Sequence, residues 1–307
     1  MGPSSGLQPR VAVVLKKFIE YYTELKPYYN SKSGLCFVGV MALIVVPPIT
    51  LALFQFSILY LIPPQFTLDY FHLDYNHPNI SSMFFSTYVH NISSFAHLLG
   101  NYSGYVAIIL LIIIFFFVII PVLKVNKVLS LNYSEKSLFL TSAVFFFVLP
   151  FSIAGISIIF GKMVKQSGTW GFSGILWAFT SYFIFLLLEM VYDAILTKSL
   201  LNTHLKRGPG EKLEKNEIQT LNKLNIGVLL LILVSALFII TPIFVILLDL
   251  GNEKINVFAH LGGFILGLLV SILVALIYST NQKPVRAIST VFLVIILLIP
   301  AISWIFL

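Results

Sequence analysis

The side chains able to do chemistry fall in three short patterns. Gly171-Phe172-Ser173-Gly174 sets a hydroxyl between glycines, Ala259-His260-Leu261-Gly262-Gly263 carries an imidazole, and His97 and Asn101 stand four residues apart. A serine hydroxyl is a weak nucleophile and needs a neighbouring base. His260 is the only histidine in the later apolar segments and is the candidate base. No Asp or Glu lies in the matching part of those segments, so a catalyst built here is a Ser-His dyad. His97 and Asn101 share one helix face at i, i+4 spacing. With the backbone N–H groups at the start of the serine's helix they can form an oxyanion hole, in which one donor contributes roughly 3 to 4 kcal/mol. Each residue also has an ordinary explanation. Ser and Gly are frequent at packed membrane-helix interfaces, and a buried His or Asn can simply tie two helices together. The elements that carry them decide between these readings.

The chain has 307 residues, is 58% hydrophobic and 10% charged, and has a mean hydropathy of +0.97. Soluble domains carry about 25% charged residues, so the expected class is an all-α polytopic membrane protein. A span takes about 20 apolar residues. Seven segments qualify: Leu35 to Ile62, Ser94 to Ile120, Ser137 to Phe160, Gly171 to Met190, Leu224 to Leu248, Val257 to Ser279 and Ala287 to Phe306. Pro47-Pro48 is expected to kink the first.

The net charge of +7 does not point to nucleic acid, because the basic residues form no continuous patch. Of the 19 Lys and Arg residues, all but Lys162, Lys165 and Lys254 fall in the N-terminal tail and the connectors 121–136, 191–223 and 280–286. The positive-inside rule therefore puts the N-terminus in the cytoplasm and the C-terminus outside. Segments two, four and six then start at the external face. His97, Asn101, Ser173 and His260 all lie within about two turns of it at 1.5 Å per residue. Polar groups gathered at one depth of an apolar bundle point to function. Gly263 and Gly267 form a small-residue face below His260, against which segment four can pack through Gly171 and Gly174.

No secretory signal peptide is evident. In the tail, Val14, Phe18, Tyr22 and Leu25 recur at helical spacing, as in an amphipathic helix on the membrane surface. Cys36 is the single cysteine, which excludes an internal disulfide and a cysteine-based metal site. Connector 63–93 has no Lys or Arg and contains Phe71, Tyr75, Met83, Phe84, Phe85 and Tyr88, a composition expected in the membrane interface. Connector 191–223 is charged, contains Gly208-Pro209-Gly210 and reads as a solvated linker.

These patterns resemble the rhomboid intramembrane serine proteases. Gly171-Phe172-Ser173-Gly174 resembles their GxSG motif, Ala259-His260 with Gly263 and Gly267 their catalytic-histidine helix, and His97 with Asn101 their HxxxN pair. The likeness covers residues 35–279 as a six-helix core. It leaves 1–34 as a cytoplasmic tail and 280–307 as an extra C-terminal transmembrane helix. It implies Ser173 as nucleophile, His260 as general base, and His97, Asn101 and the Ser173 N–H as oxyanion donors. It also implies that 63–93 is a membrane-embedded loop, and that segment five with 249–256 is a substrate gate and cap. The implied activity is cleavage of single-span membrane proteins in or near their span, after small residues, without metal or cofactor.

Three positions depart from the family pattern. Ile92 stands where many rhomboids have a second histidine, His90 lies two residues earlier, and the loop lacks the family's Trp-Arg pair. Trp177 replaces a tyrosine that often packs on the histidine, offering an N–H in place of a hydroxyl. A non-catalytic relative that binds client transmembrane helices is the alternative. A transporter fits less well, because no internal repeat is visible and the polar groups gather near one face rather than the midplane.

Overall fold

The computed structural model describes residue 23 and residues 34–90, 95–125, 135–205, 215–249, 256–279, 281–303 and 305. The tail residues expected to form an amphipathic helix lie outside these, as do Gly208-Pro209-Gly210 and residues 250–255. The described chain is all-α apart from one two-residue ladder. It contains six helices long and apolar enough to cross a membrane, or seven spans when one bent pair counts as one. That is the architecture of a polytopic membrane protein, and the seven positions coincide with the seven apolar segments.

In chain order the elements are α1 (Gly34–Tyr60), α2 (Pro64–Tyr70), β1 (Leu73–Asp74), α3 (Ile80–Phe85), α4 (Phe95–Ile114) and α5 (Ile120–Val125). They continue as α6 (Glu135–Phe147), α7 (Leu149–Met163), β2 (Gly168–Thr169), α8 (Ser173–Leu205), α9 (Lys215–Asp249), α10 (Val257–Ser279) and α11 (Lys283–Ser303). The central helix is α8. Of its apolar stretch 61% is buried, against 17–39% for the other single spans. Phe172, Phe179, Tyr182, Phe183 and Leu187 carry the main core, with Tyr105 of α4 and Phe145 of α6 packed against them.

Proline shapes the spans, and buried hydroxyls repair what it breaks. A proline cannot donate to the carbonyl four residues before it. The carbonyl that Pro47 leaves open is that of Leu43, which accepts the Tyr105 hydroxyl at 2.7 Å. α1 runs through Pro47 and Pro48 as one helix. Pro150 leaves the Phe146 carbonyl open, and it accepts the Tyr88 hydroxyl. Here the chain does break: α6 and α7 meet at Val148 with a 46° bend. The expected single span 137–160 is thus a bent pair. Between α4 and α5 lies a π turn, Phe115–Ile119, two residues before Pro121; π turns and prolines are both recognised places for a helix to bend.

Two connectors differ from expectation. Residues 191–223 are not a plain solvated linker, because α8 continues to Leu205 and α9 begins at Lys215. The stretch 191–205 contains no Gly or Pro to stop the helix. Connector 63–90 is a folded unit. Tyr75, Met83 and Phe71 are 0%, 1% and 8% exposed, packed within the connector and against Ala154 and Ile158 of α7. The apolar surface it presents outward comes instead from Phe66, Leu68, Tyr70 and Ile80. Its strand β1 pairs with β2, Leu73 opposite Thr169, which fastens the connector to the turn leading into α8.

Candidate active site

Ser173 is the first residue of α8, and His260 stands in the first turn of α10; each is 7% exposed. The two helices share the most extensive interface of any pair of elements. Glycine makes that approach possible. A Cβ on Gly263 would lie 2.8 Å from the Gly174 carbonyl carbon, and one on Gly267 would lie 2.6 Å from the Ala178 Cα. Real Cβ atoms do not come so close to backbone, so the α8 and α10 backbones touch at these positions. Trp177, one turn after Ser173, lays its ring against the His260 imidazole at 5.6 Å between centroids and 36° between planes. The expected packing of segment four on the histidine's helix is thus present, and Trp177 contacts His260.

The start of α10 is set by Asn256. Its Oδ1 accepts from the Ala259 N–H at 3.0 Å, an N-cap arrangement, and its Nδ2 donates to the Tyr75 hydroxyl and to Ser157 Oγ, both at 3.1 Å. One side chain therefore ties the histidine's helix to the connector and to α7.

The turn before Ser173 is held from three sides. Gly171 has φ +134°, a conformation L side chains rarely adopt, and its N–H donates to the Ser86 carbonyl at 2.8 Å. Phe172 is fully buried, with its ring at 5.4 Å from Tyr105 and 6.2 Å from Tyr88. The Phe172 N–H donates to His90 Nε2 at 3.3 Å.

His90 is the residue that sequence reasoning left without a role. Its ring is 1% exposed, and Nε2 also receives the Asn101 amide at 2.8 Å. Accepting from a backbone N–H fixes the imidazole with its proton on Nδ1. Gln55 of α1 clamps the His90 backbone from the other side. Its Nε2 donates to the His90 carbonyl at 3.2 Å, and its Oε1 accepts the His90 N–H at 3.1 Å. Burial pushes the His90 imidazole down to about 3, with the nearby His97 adding to the effect. It stays neutral and acts as an acceptor.

Asn101 is buried and points its amide between two rings, His90 at 2.8 Å and His97 at 3.3 Å, whereas His97 itself is exposed. A Cβ on Gly171 would lie 3.8 Å from the Nε2 atoms of both histidines. His97, Asn101 and the turn into Ser173 therefore converge, with His90 as the hub. One signal for the missed residues was present in the chain: Asn256 directly precedes an apolar run, as N-caps do.

Beside Ser173 lies a pocket of about 20 Å³, lined by Ser86, Thr87, Ser157, Gly171, Ile153 and Ala259 among others. That is space for about one water molecule among hydroxyl groups. Glu189 and Asp193 lie on the same helix but about 24 Å or more along it from Ser173 at 1.5 Å per residue. No group of three or more His, Cys, Asp or Glu among the described residues is placed to hold a metal ion. Compared with protein-family models, curated proteins and solved structures, the chain matches none.

Proposed function

We propose that this chain is a rhomboid-like intramembrane serine endopeptidase that cleaves single-span membrane proteins near the external face of a membrane. The observation that carries the reading is the backbone contact of Gly174 with Gly263, which sets the helix starting at Ser173 against the helix bearing His260. The motif resemblance and the convergence of His97 and Asn101 on the same turn support it.

In this reading Ser173 Oγ attacks a substrate carbonyl carbon while its proton passes to the His260 imidazole. The negative charge formed on the carbonyl oxygen is met by N–H groups of the first α8 turn and by the Asn101 amide, which exchanges His97 for the oxyanion. Collapse breaks the C–N bond, and the leaving amine takes the proton from His260. The resulting Ser173 ester is cleaved by water, whose proton goes to His260 as its oxygen bonds the carbonyl carbon. Ser173 recovers its proton as the ester bond breaks. The hydroxyl-lined pocket can hold that water.

The test is labelling of the purified chain by a fluorophosphonate. Wild type is expected to label at one serine, and Ser173→Ala and His260→Ala are each expected to abolish it while the protein stays folded. An unlabelled wild type, or labelling unchanged in Ser173→Ala, overturns the dyad; capture of client helices without turnover would then favour the non-catalytic reading.

A further inference from the structure

The C-terminal helix α11 packs along both α7 and α10. Two features of its contact with α7 go beyond apolar packing. Ser152, fully buried, donates its hydroxyl to the Leu297 carbonyl at 2.7 Å. One turn on, a Cβ on Gly155 would lie 2.6 Å from the Pro300 carbonyl carbon, so the two backbones meet there. Pro300 leaves the Ile296 carbonyl without its helical donor, and Ser152 binds the next carbonyl in the chain.

The other faces of α7 belong to the site. Ile153 and Ser157 line the pocket beside Ser173. The Ile153 side chain also sets the spacing to Gly174, where a Cβ would lie 2.9 Å from its Cδ1. Ile156 faces Gly262 two residues after His260, with 3.2 Å from its Cδ1 to a Cβ placed there. Ser157 receives the Asn256 amide that caps the histidine's helix. One 15-residue helix therefore touches α11 on one side and both dyad-bearing helices on the others.

We propose that α11 is a buttress for the dyad, with Ser152 and Gly155 as positioning residues that hold α7 against the Ser173 and His260 helices. This rests on the protease reading above. Moving α7 outward releases Ile153 from Gly174 and Ser157 from Asn256, so Ser173 and His260 lose register without losing any catalytic group. Misplacement of about 1 Å can cost a catalyst on the order of a hundredfold.

The deciding comparison is Ser152→Thr against Ser152→Val in the full chain. The two replacements are nearly isosteric and differ in the hydroxyl. Cleavage of a single-span test substrate with small residues at its outer membrane boundary is followed in proteoliposomes, alongside thermal unfolding. Ser152→Thr is expected to keep kcat within about twofold, and Ser152→Val to lose about tenfold in kcat at unchanged KM, as one lost buried hydrogen bond and the shift behind it predict. Gly155→Ala, which forces the same contact apart, is expected to lower kcat in the same way. Equal kcat for the Thr and Val proteins, or a loss confined to KM or to unfolding temperature, overturns the buttress and leaves the protease reading standing. A wild type with no turnover overturns both.

Discussion

His90 sets the chemistry around it by staying neutral. Its one accepting nitrogen takes the Asn101 amide and the Phe172 N–H together, so protonation there would break two contacts at once. The folded protein holds this imidazole at about 3, below its ordinary 6.5. Between those values the unfolded chain binds a proton that the folded chain refuses, so stability falls as pH drops from about 6.5 toward 3. The slope is at most about 1.4 kcal/mol per pH unit for one group. Thermal unfolding from pH 7 to pH 4 is expected to fall more steeply for wild type than for His90→Gln, which has nothing to titrate at that position. Parallel curves would show that His90 is not held neutral by the fold. At this scale the sequence was partly legible. Ser173, His260 and Asn101 sit beside glycines and at helix spacing, so local pattern exposes them. His90 and Gln55 gain meaning only from partners 11 to 82 positions away, and local pattern is blind to that.

Among elements, the contact of α8 with α10 is the one on which the proposed site depends, and it separates glycines by what they face. Gly263 faces the Gly174 backbone, whereas nothing lies within 4 Å of a Cβ placed on Gly227 in α9. Gly263→Ala is expected to push the two helices apart and reduce fluorophosphonate labelling by about a hundredfold or more. Gly227→Ala is expected to leave labelling unchanged and to stabilise α9 by up to about 1 kcal/mol. Similar labelling of the two variants would show that the glycine contact does not position Ser173 and His260. The number and order of apolar segments were legible because bilayer thickness fixes their length. The break at Val148 was not, because residues 137–160 read as one apolar run. Pro47 and Pro150 both have the carbonyl four residues before them satisfied by a tyrosine hydroxyl, yet only the second helix breaks, so a proline in an apolar run does not by itself say which will happen.

For the molecule as a whole, connector 63–90 is where composition said least about which side chains turn inward. Its aromatic content pointed to a segment lying in the membrane interface, yet Tyr75, Met83 and Phe71 are turned into the protein. Alternation of exposed and buried rings in a short connector has no fixed period, so composition gave the richness in rings and not their direction. The connector is thereby a structural partner of α7, β2 and the turn into α8, with Phe66, Leu68, Tyr70 and Ile80 left as its apolar outer surface.

The Tyr88–Phe146 hydrogen bond has a consequence for biogenesis. Tyr88 leaves the ribosome well before Phe146, yet its hydroxyl completes a bond with a carbonyl in the third span. The connector can therefore finish folding only after that span is in place, and until then the broken span carries an unpaired carbonyl, which is costly in hydrocarbon. A pulse-chase with limited proteolysis of connector 63–90 is expected to show a delayed gain of resistance in wild type, and a longer or incomplete one in Tyr88→Phe. Identical time courses would mean that the connector matures without that bond. In this view the hydroxyl is a late latch in assembly, closing the first half of the bundle once its third span has arrived.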